Sequence, residues 1–556
     1  MSRSLRVALV GPEIEENLSL RYIASSLAAA GHTAEIVAFN VEADFAYALH
    51  TVLQGNFDLV GISLAFQWRA SDFLALGVAI REQGFAGHLT VGGHFATFAA
   101  REILRDFPEL SSVCRQEAEL TMVALADAVA AHPDGAQALA TALREIPGLA
   151  LHDGDGQVFF TAMPTPPDLA KLPRPDRRGT PAACFGHGIA PLVASRGCYA
   201  NCSFCCIAAW HEQTLPGKRY RIREVADVAD EMLELQRSRG VDIFVFHDDN
   251  FFVPGHKKNR ERLSALADAL DRLPMTPFAT VVKARPTDVD PEVFRILVER
   301  LHCIRVYIGV ESDADQGLET LRRWSPSKQN HRAIELVRKL DLYTCFNMLL
   351  FDPDTTLESI LINVDFLKFA PEYPSNFGRV ELYAGTPLLE RMRAENRARG
   401  DYLQWDYSLA NPQVERVFDL SMRAFHSRNF GVDALANRIM GTRFDVEVAR
   451  RFHKDVYRAE WLAEGKALTA TLTLDGANAL EKIVRFVEAD APTSAEADFV
   501  GEIAATLRAT EDSVRGRAKA LARDLKASIK QGDPLTDLGD RVATPLQTSR
   551  SAPSAA

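Results

Sequence analysis

The chain has 556 residues, of which 47% are hydrophobic and 25% charged, the composition of an ordinary globular protein. Its length predicts about three domains, because a domain averages roughly 150 residues. The formal net charge of −11 argues against a nucleic acid as main partner, since binding a phosphate backbone needs an excess of Lys and Arg.

The N-terminus and the cysteine usage predict a cytoplasmic location. No apolar run approaches the length of a membrane span, and residues 1–6 lead straight into a predicted strand instead of a signal peptide. Four of the eight cysteines lie within residues 198–206 and the others are scattered. This distribution fits a reducing compartment better than a disulfide framework.

Strands and helices alternate from residue 5 to about residue 130. Helices are predicted at 18–30 and 73–83, and strands at 5–10, 34–38, 59–64 and 89–91. This alternation predicts a doubly wound parallel sheet, whose ligand crevice lies at the carboxyl ends of the strands. Four residues fall at those ends: Gly11, Ser63, Gly92 and Gly93. No G-x-G-x-x-G follows the first strand, which argues against a dinucleotide, but a nucleotide, a flavin or plain turns stay open.

Residues 148–188 are predicted to connect this domain, residues 1–147, to the next. Residues 148–160 are typical of a hairpin with Asp153-Gly154-Asp155-Gly156 at its turn. Five prolines between residues 164 and 175 then interrupt regular structure.

The next segment, Ser195-Arg-Gly-Cys-Tyr-Ala-Asn-Cys-Ser-Phe-Cys-Cys-Ile207, places three thiols on one loop after a predicted strand at 189–194. Cys198, Cys202 and Cys205 follow C-x3-C-x2-C spacing, and soft sulfur ligands indicate a metal. A closed zinc site needs four ligands, and no second C-x2-C pair follows. A [4Fe–4S] cluster would keep one iron open. A zinc knuckle or a group of buried thiols remains an alternative, and Cys206 is either a bystander or a substitute ligand.

Repeated βα units continue over residues 189–394. The predicted strands are 189–194, 241–246, 278–282, 304–309, 343–350 and 379–382, with an amphipathic helix at 222–237. Six units in series predict a partial parallel barrel, in which chemistry takes place at the carboxyl ends of the strands. The polar residues at or near those ends include Asp248, Asp249, Asn250, Arg285, Glu311 and Asn347. Any single Asp or Asn among them could instead cap the following helix.

The remaining residues carry no motif that identifies a substrate. Residues 395–531 are predicted to form a mainly helical region, with helical patterns at 405–428, 432–464, 476–489 and 495–531. Residues 532–556 are rich in Ser, Pro, Thr and Ala and are predicted to be a disordered tail.

The cysteine spacing, with Phe204 before the last cysteine, resembles the signature of the radical S-adenosylmethionine (SAM) superfamily. The resemblance implies that Cys198, Cys202 and Cys205 bind a [4Fe–4S] cluster whose open iron chelates SAM. It also implies that Phe204 lies near the adenine, and that one electron from the cluster cleaves SAM to a 5′-deoxyadenosyl radical.

The resemblance also assigns the polar residues that follow the barrel strands. Asp248, Asp249 and Asn250 match the second-strand motif that contacts the SAM amino group, and Glu311 matches the fourth-strand position that holds the ribose or the amino end. Arg285 suits the SAM carboxylate, because a guanidinium binds carboxylates in a bidentate way. Asn347 on the fifth strand completes this set.

Val91-Gly-Gly-His-Phe-Ala-Thr97, followed by Arg115-Gln-Glu-Ala-Glu119, resembles the cobalamin-binding domain that precedes many radical SAM domains. The family pattern at the second place is Gly-Glu-Gly-Glu, so Gln116 and Ala118 are departures. The Asp-x-His-x-x-Gly motif that supplies an axial histidine elsewhere is absent, and a lone His94 is more typical of a loop residue than of a cobalt ligand. The resemblance implies cobalamin contacts from Gly11, Ser63, Gly92, Gly93, His94 and Glu117.

Together these motifs resemble the cobalamin-dependent radical SAM enzymes. The implied α/β architecture is an N-terminal Rossmann-like cobalamin domain, a partial (β/α)6 radical SAM barrel and a mainly helical C-terminal region. The implied activity is methylation of an unactivated carbon or a phosphinate phosphorus, in which a substrate radical takes the methyl group of methylcobalamin. The implied partners are a small-molecule or natural-product substrate and a low-potential electron donor such as flavodoxin or ferredoxin.

Two alternatives remain open at this point. One is a radical SAM cyclase or rearrangement enzyme without methyl transfer, like the anaerobic magnesium-protoporphyrin ester cyclases. The other is a non-catalytic cobalamin or redox sensor.

Overall fold

The computed structural model describes residues 3–133, 135–153, 156–214, 219–430 and 434–530. Its strands are β1 Arg6–Gly11, β2 Thr33–Ala38, β3 Leu59–Ser63, β4 His88–Gly92, β5 Ser112–Cys114, β6 Leu149–His152, β7 Val158–Phe160, β8 Ala182–Cys184, β9 His187–Leu192, β10 Ser195–Gly197, β11 Tyr220–Ile222, β12 Val241–Phe246, β13 Ala279–Ala284, β14 Cys303–Glu311, β15 Thr344–Phe351, β16 Ser375–Arg379, β17 Ala398–Gly400 and β18 Trp405–Tyr407.

The helices are α1 Leu18–Ala29, α2 Phe45–Gln54, α3 Ala70–Glu82, α4 His94–Phe98, α5 Ala100–Asp106, α6 Glu119–Ala131, α7 Ala136–Arg144, α8 Cys206–Thr214, α9 Val225–Arg239, α10 His256–Asp271, α11 Pro291–Glu299, α12 Asp315–Thr320, α13 Lys328–Lys339, α14 Leu357–Phe369, α15 Pro387–Ala394, α16 Pro412–Phe425, α17 Leu435–Phe452, α18 Ala459–Glu488 and α19 Glu496–Lys530. A π-helical turn, His426–Phe430, follows α16. Among the described residues, no helix is both long enough and apolar enough to cross a membrane.

These elements form two compact units, and neither is a single continuous segment. The first comprises Met1–Thr180, Ser195–Glu224 and Leu382–Asp406, and the second comprises Pro181–Ala194, Val225–Glu381 and Tyr407–Ala556. The cysteine loop is therefore part of the same unit as the N-terminal sheet. The chain boundaries given above for the domains stay predictions.

The first unit is built on a doubly wound sheet, as predicted, with the strand order β2-β1-β3-β4-β5-β6-β7. Strands β1 to β5 are parallel, and apolar clusters cover both faces, which explains why their sequences are almost continuously apolar. The hairpin β6–β7 adds two antiparallel strands to this sheet, so residues 149–160 extend the domain. Gly154 and Asp155 of its predicted turn lie outside the described residues.

The second unit contains the predicted partial barrel as a seven-stranded sheet, with the order β16-β15-β14-β13-β12-β9-β8. Six of its strands are parallel, and β8 joins the edge antiparallel to β9. The predicted strand at 379–382 is wrong, because β16 is Ser375–Arg379. Its residue Asn376 pairs with Asn347 of β15, so this edge strand pairs through a polar segment, and the apolar run that suggested a strand follows it.

The two faces of this second sheet differ in what covers them. Phe346 of β15 packs on Phe366 of α14, with ring centroids 5.5 Å apart, on the face covered by helices. We call the opposite face, which carries Val281, Lys283, Arg305, Tyr307 and Cys345, the inner face. Helix α17 packs against its lower end, the end nearer the amino termini of the strands, where Phe444 and Val448 join an apolar cluster with Ile189, Ile243 and Val281.

The C-terminal region is helical, as predicted, but its helix boundaries differ from the prediction. The pattern at 432–464 comprises α17 and the start of α18, and the pattern at 476–489 is the second half of α18. Gly476 lies inside α18, where a Cβ would lie 3.6 Å from Phe425 Cε1, an ordinary contact distance. Residues 405–407 form β18 ahead of α16. The predicted tail, 532–556, lies outside the described residues.

A buried carboxyl on α17 makes the stability of the second unit depend on pH. Burial raises the pKa of Asp445 to about 7, although the Cys184 thiol donates to its Oδ1 (3.4 Å) and Lys526 lowers the value. The folded state therefore holds this proton more tightly than the unfolded chain does. Stability from this group is greatest at low pH and is lost as the pH rises through about 7.

We expect Asp445→Asn to remove this dependence. The variant should be more stable than the parent at about pH 8 by roughly 2–4 kcal/mol, with a smaller gain at about pH 5, because the ionised form no longer has to be buried. Urea unfolding at both pH values measures the difference. An equal effect at the two pH values would contradict the assignment.

Candidate functional site

Three of the predicted cobalamin-binding residues lie next to one another at the carboxyl edge of the first sheet. Ser63 of β3 pairs with Gly92 of β4, which pairs with Cys114 of β5. A Cβ on Gly11 would lie 3.2 Å from Ser63 Cβ and 2.7 Å from Leu20 Cδ1, so β1 ends in close contact with both side chains. These residues therefore form the carboxyl edge of the first sheet, as the alternation of strands and helices predicts.

Gly93 and His94 turn the chain from β4 into α4. Gly93 has φ 106°, and a Cβ there would lie 3.0 Å from the backbone of Leu64, so both conformation and space favour glycine. The His94 ring lies against Trp210 of α8, with ring centroids 4.6 Å apart. His94 is thus half of an aromatic contact to the helix that follows the cysteines, and its cobalamin contact stays a prediction.

The cysteine loop begins at a glycine that no other residue could replace without a shift of the backbone. Gly197 has φ 86°, and a Cβ there would lie 2.0 Å from the Arg219 carbonyl oxygen. Cys198, Cys202 and Cys205 then follow on the loop, whereas Cys206 is the first residue of α8. The Leu388 amide donates to the Ser203 carbonyl (2.9 Å) and holds the middle of the loop to α15.

A buried carboxylate joins the cysteine loop to the N-terminal sheet. Arg196 and Arg221 face each other across β10 and β11, a pairing of like charges that costs stability unless an anion offsets it. Glu117 provides that anion, 2.5 Å from Arg196 Nη1 and in contact with Arg221, and Glu119 lies 2.6 Å from Arg196 Nη2. Burial lowers the pKa of Arg196, but Glu119 and Glu117 outweigh it and raise that pKa overall.

Glu117 was predicted to contact cobalamin, and the structure places its carboxylate in these ion pairs. The neighbouring departure from the family pattern also has a structural account. Gln116 has φ 67°, the left-handed conformation that favours the glycine of the pattern, and its Nε2 donates to Gln213 Oε1 (2.8 Å). The cobalamin contact of Glu117 stays a prediction.

In the second unit, Asp248 follows β12 and is completely buried. Its two carboxylate oxygens lie 3.2 and 3.1 Å from the Ala194 amide nitrogen, which donates to them. Asn250 is also buried, whereas Asp249 is exposed. Asp248 therefore holds the segment that follows β9, and its SAM contact stays a prediction.

Glu311 ends β14 in a strained conformation beside two arginines. Its φ is 64°, which is unusual for a residue with a side chain and frequent at functional sites. Burial raises the pKa of Glu311, an effect that Arg323 and Arg285 oppose. Arg323 donates to the Gly309 carbonyl, and Arg285 Nη2 donates to the Arg323 carbonyl (2.6 Å). The predicted residues Glu311 and Arg285 thus meet in one cluster, completed by Arg323.

Asn347 contributes a buried acceptor in the same region of the second sheet. Its Oδ1 is buried and accepts no hydrogen bond from the described residues. An unsatisfied buried amide costs free energy, so such an atom is typical of a place where a ligand binds. Together with the Arg285 and Glu311 cluster, this atom fits the polar ends of SAM.

Several residues at these sites were missed from the sequence. Phe66 and Trp68, 38% and 49% exposed, follow β3 at the carboxyl edge of the first sheet. Gln67, between them, is buried. Its side chain donates a hydrogen bond to the Leu382 carbonyl and accepts one from the Ala384 amide. Exposed aromatic residues directly after a strand could have been noticed, whereas the Gln67 contact spans more than 300 residues and leaves no sequence signal.

The thiols of the cysteine loop form no disulfide. All eight cysteines lie in the described residues and none is in a disulfide. Across the described ranges, no three His, Cys, Asp or Glu side chains converge as the ligands of one ion would. The Ala200 amide donates to Cys198 Sγ (3.4 Å), a contact that stabilises a thiolate.

Two family models match the chain: the B12 binding domain over residues 7–126 and the radical SAM superfamily over residues 192–367. An uncharacterized methyltransferase of Pyrococcus horikoshii is 25% identical over 61% of this chain and 70% of that protein. The anaerobic magnesium-protoporphyrin IX monomethyl ester cyclase of Cereibacter sphaeroides is 25% identical over 54% of this chain and 48% of the cyclase. The hopanoid C-3 methylase of Methylococcus capsulatus is 28% identical over 61% of each chain.

Among solved structures, the chain is similar to OxsB, a cobalamin-dependent S-adenosylmethionine radical enzyme, with aqua-cobalamin bound. The TM-score is 0.64 at 18% identity, over 95% of this chain and 81% of the other. At this identity the likeness shows the fold alone. The chain matches less than two thirds of the length of the Cereibacter sphaeroides cyclase and of the Methylococcus capsulatus methylase.

The loop cysteines provide a direct test of the metal assignment. We expect Cys202→Ala to lose bound iron and sulfide after anaerobic reconstitution, because only two loop thiolates would remain. Cys206→Ala is the matched control and should keep the cluster, since Cys206 belongs to α8. Iron and sulfide analysis and the visible absorption of the cluster measure the outcome, and equal losses in the two variants would contradict the ligand set.

The ion pairs of Glu117 predict a stability difference between two neighbouring carboxylates. Glu117→Gln should destabilise the first unit by about 3 kcal/mol, because it leaves two buried guanidinium groups without their shared anion. Glu119→Gln should cost less, since Arg196 keeps its pair with Glu117. Urea unfolding of the two variants at one pH compares them, and a larger loss in Glu119→Gln would refute the assigned network.

Proposed function

This chain belongs to the cobalamin-dependent radical SAM enzymes, whose cofactors are cobalamin, SAM and a [4Fe–4S] cluster, and we propose that it is a methyltransferase. The proposed acceptor is an unactivated carbon or a phosphinate phosphorus. Two of the relatives described above are named as a methyltransferase and a methylase, which supports this reaction class.

The observation that carries the proposal is the connection between two cofactor regions in the first unit. Glu117 lies on the loop after β5 of the N-terminal sheet. Its ion pairs with Arg196 and Arg221 hold β10, at whose end the cysteine loop begins, and β11, which follows α8. The contacts of His94 with Trp210 and of Gln116 with Gln213 join the same two regions. An enzyme that uses both cofactors on one substrate needs them held in a fixed arrangement.

The chain's own residues bind and orient the cofactors. When bound, the cluster supplies an electron to SAM, and cobalamin supplies a transferable methyl group. Cys198, Cys202 and Cys205 would hold three irons of the cluster. In the second unit, Arg285 would bind the SAM carboxylate, and Glu311 would accept from its amino group or its ribose hydroxyls. Asn347 would offer its buried Oδ1 as a further acceptor.

The carboxylates near the strand ends are proposed to bind SAM, and not to act as proton donors or acceptors in the reaction. Asp248 is held as an acceptor by the Ala194 amide, and Glu311 lies beside Arg323 and Arg285. An amide donor and guanidinium neighbours fix the position of a carboxylate as a hydrogen-bond acceptor, which suits a binding role.

We further propose a small-molecule or natural-product substrate, a low-potential donor such as flavodoxin or ferredoxin, and a cytoplasmic location. A cyclase or rearrangement enzyme is the second candidate, because the Cereibacter sphaeroides cyclase is as similar in sequence as the first methyltransferase.

The products formed from SAM distinguish these reactions. We expect anaerobically reconstituted protein, loaded with hydroxocobalamin and given reductant and SAM, to form both 5′-deoxyadenosine and S-adenosylhomocysteine. Mass spectrometry measures both nucleosides, and Cys202→Ala should lose the first, because that product requires the cluster.

Two other outcomes would replace the proposal. 5′-Deoxyadenosine without S-adenosylhomocysteine would favour the cyclase class. Protein that carries both cluster and cobalamin but forms neither product would favour the non-catalytic sensor.

A further inference from the structure

The C-terminal helices enclose a cavity beside β16, the edge strand of the second sheet. Its walls come from α14, β16, α16, the π-helical turn, α17 and α18, and its volume is about 50 Å³. The apolar side chains of the wall include Phe377, Phe425, Ile439, Leu472 and Leu480. The cavity opens to solvent, so it can take a small molecule or one end of a larger one.

Two polar residues of the cavity wall lie on the π-helical turn, His426–Phe430. Arg428 and Asn429 are only 3% and 6% exposed, and both line the cavity. Turns of this kind are rare and occur frequently at functional sites. The turn therefore places two buried polar side chains in a wall that is otherwise mainly apolar.

Arg428 has its charge balanced but keeps one free donor. Its Nε donates to Glu511 Oε1 (3.1 Å), and its Nη2 donates to the Leu507 carbonyl (2.6 Å) and lies 2.7 Å from Asp475 Oδ2. Its Nη1 is buried and has no hydrogen-bond partner in the described part of the chain. Two carboxylates already surround one guanidinium, so the missing partner of Nη1 is an acceptor that adds no negative charge.

Asn429 offers a buried acceptor, and its neighbours fix the orientation of its amide. Asn376 Oδ1 accepts from the Phe377 amide (2.9 Å), so this atom is an oxygen. The Asn429 atom that lies 2.8 Å from it must then be the nitrogen, Nδ2. This arrangement leaves Asn429 Oδ1 buried, with no donor among the described residues. A buried acceptor in that condition costs free energy until a ligand or water satisfies it.

A glycine keeps part of the cavity open. Gly476 lies in the interior of α18, a helix of 30 residues, where glycine lowers helix stability relative to alanine. A Cβ there would lie 3.6 Å from Phe425 Cε1, so the folded backbone has room for a side chain. Gly476 lines the cavity, and the side chain that it lacks would occupy that space.

We propose that this cavity binds a neutral small molecule, or the neutral end of a larger one, with a hydroxyl or carboxamide group on a short apolar stem. Such a group can accept from Arg428 Nη1 and donate to Asn429 Oδ1. A carboxylate can only accept and an ammonium can only donate, so neither satisfies both atoms. Asp475 and Glu511 also disfavour an anion, because like charges repel.

The site is separate from the residues proposed to bind SAM, so the inference goes beyond the proposed function. It is tested by ligand-observed NMR titration of the anaerobically reconstituted holoenzyme with SAM present. Four probes have the same branched stem: isobutanol and isobutyramide are neutral, isobutyrate is an anion and isobutylammonium is a cation.

We expect the two neutral probes to bind at least about tenfold more tightly than either ion, because they alone form both hydrogen bonds. Isobutyrate or isobutylammonium that binds as tightly as isobutyramide would overturn the assignment of a neutral ligand. Absence of binding by all four probes would also overturn the inference, since the cavity would then hold only water.

Filling the cavity shows whether the probes bind there. Gly476→Leu should abolish binding of the neutral probes, because the new side chain occupies the open space. Gly516→Leu is the matched control and should keep it, since Gly516 is an exposed glycine of α19 whose Cβ would meet nothing within 4 Å. Unchanged binding in Gly476→Leu would place the probes elsewhere and refute the site.

A second variant tests the hydrogen bond without adding volume. Asn429→Ala should weaken isobutanol binding by about tenfold, because the acceptor for the hydroxyl is lost. A variant that is less stable than the parent in urea but binds isobutanol equally well would show that Asn429 serves packing alone, against the inference.

Probe binding and the methyl-transfer assay fail independently. Probe binding by a protein that forms no S-adenosylhomocysteine would leave this site standing and remove the methyltransferase. Methyl transfer by a protein that binds no probe would do the reverse.

Discussion

The first unit depends on a buried balance of charge around Glu117. Two arginines face each other across the short strands β10 and β11, one on either side of the cysteine loop and α8, and like charges at that distance repel. The carboxylate of Glu117, which belongs to the N-terminal sheet, removes that repulsion by pairing with both. Because the ion pairs are buried, removing one partner costs free energy. The cysteine loop is therefore held to the loop after β5. Together with the His94–Trp210 and Gln116–Gln213 contacts, these ion pairs join the N-terminal sheet and the cysteine loop within one compact unit.

The second unit follows a different physical rule, the alternation of side chains along parallel strands. Even-numbered residues of β14 and β15, such as Val306, Ile308 and Phe346, are buried on the face covered by helices. The odd-numbered residues Arg305 and Tyr307 of β14 lie on the inner face, and α17 covers the lower end of that face. A single sheet therefore carries one face packed on helices and one face with polar side chains above α17.

The loop after β5 shows how a departure from a family pattern is accommodated. The pattern has glycine where this chain has Gln116, and the backbone there keeps the left-handed conformation that glycine adopts easily. The cost of that conformation is offset by the hydrogen bond from Gln116 to Gln213, which adds another connection to α8. Ala118, the second departure, has ordinary negative φ and needs no such compensation.

Much of this architecture could be predicted from the sequence because its signals are local. The βα alternation predicted both sheets, and the three-cysteine spacing predicted the metal loop, since each depends on residues near one another in the chain. β16 was misplaced because an edge strand can pair through polar residues, so hydrophobicity does not mark it. The sequence also suggested a cobalamin role for Glu117 but gave no sign of its ion pairs.

Tertiary structure alone decided which distant residues meet. The pairing of Glu117 with Arg196 and Arg221, the contact of Gln67 with residues 382–384 and the position of Lys283 opposite Tyr307 all depend on strand order and register. Such contacts leave no periodicity in the sequence, because the free energy of an ion pair or a hydrogen bond depends on distance in space. The sequence therefore determined the domain types and the cofactor motifs, and the fold determined how charge is distributed around them.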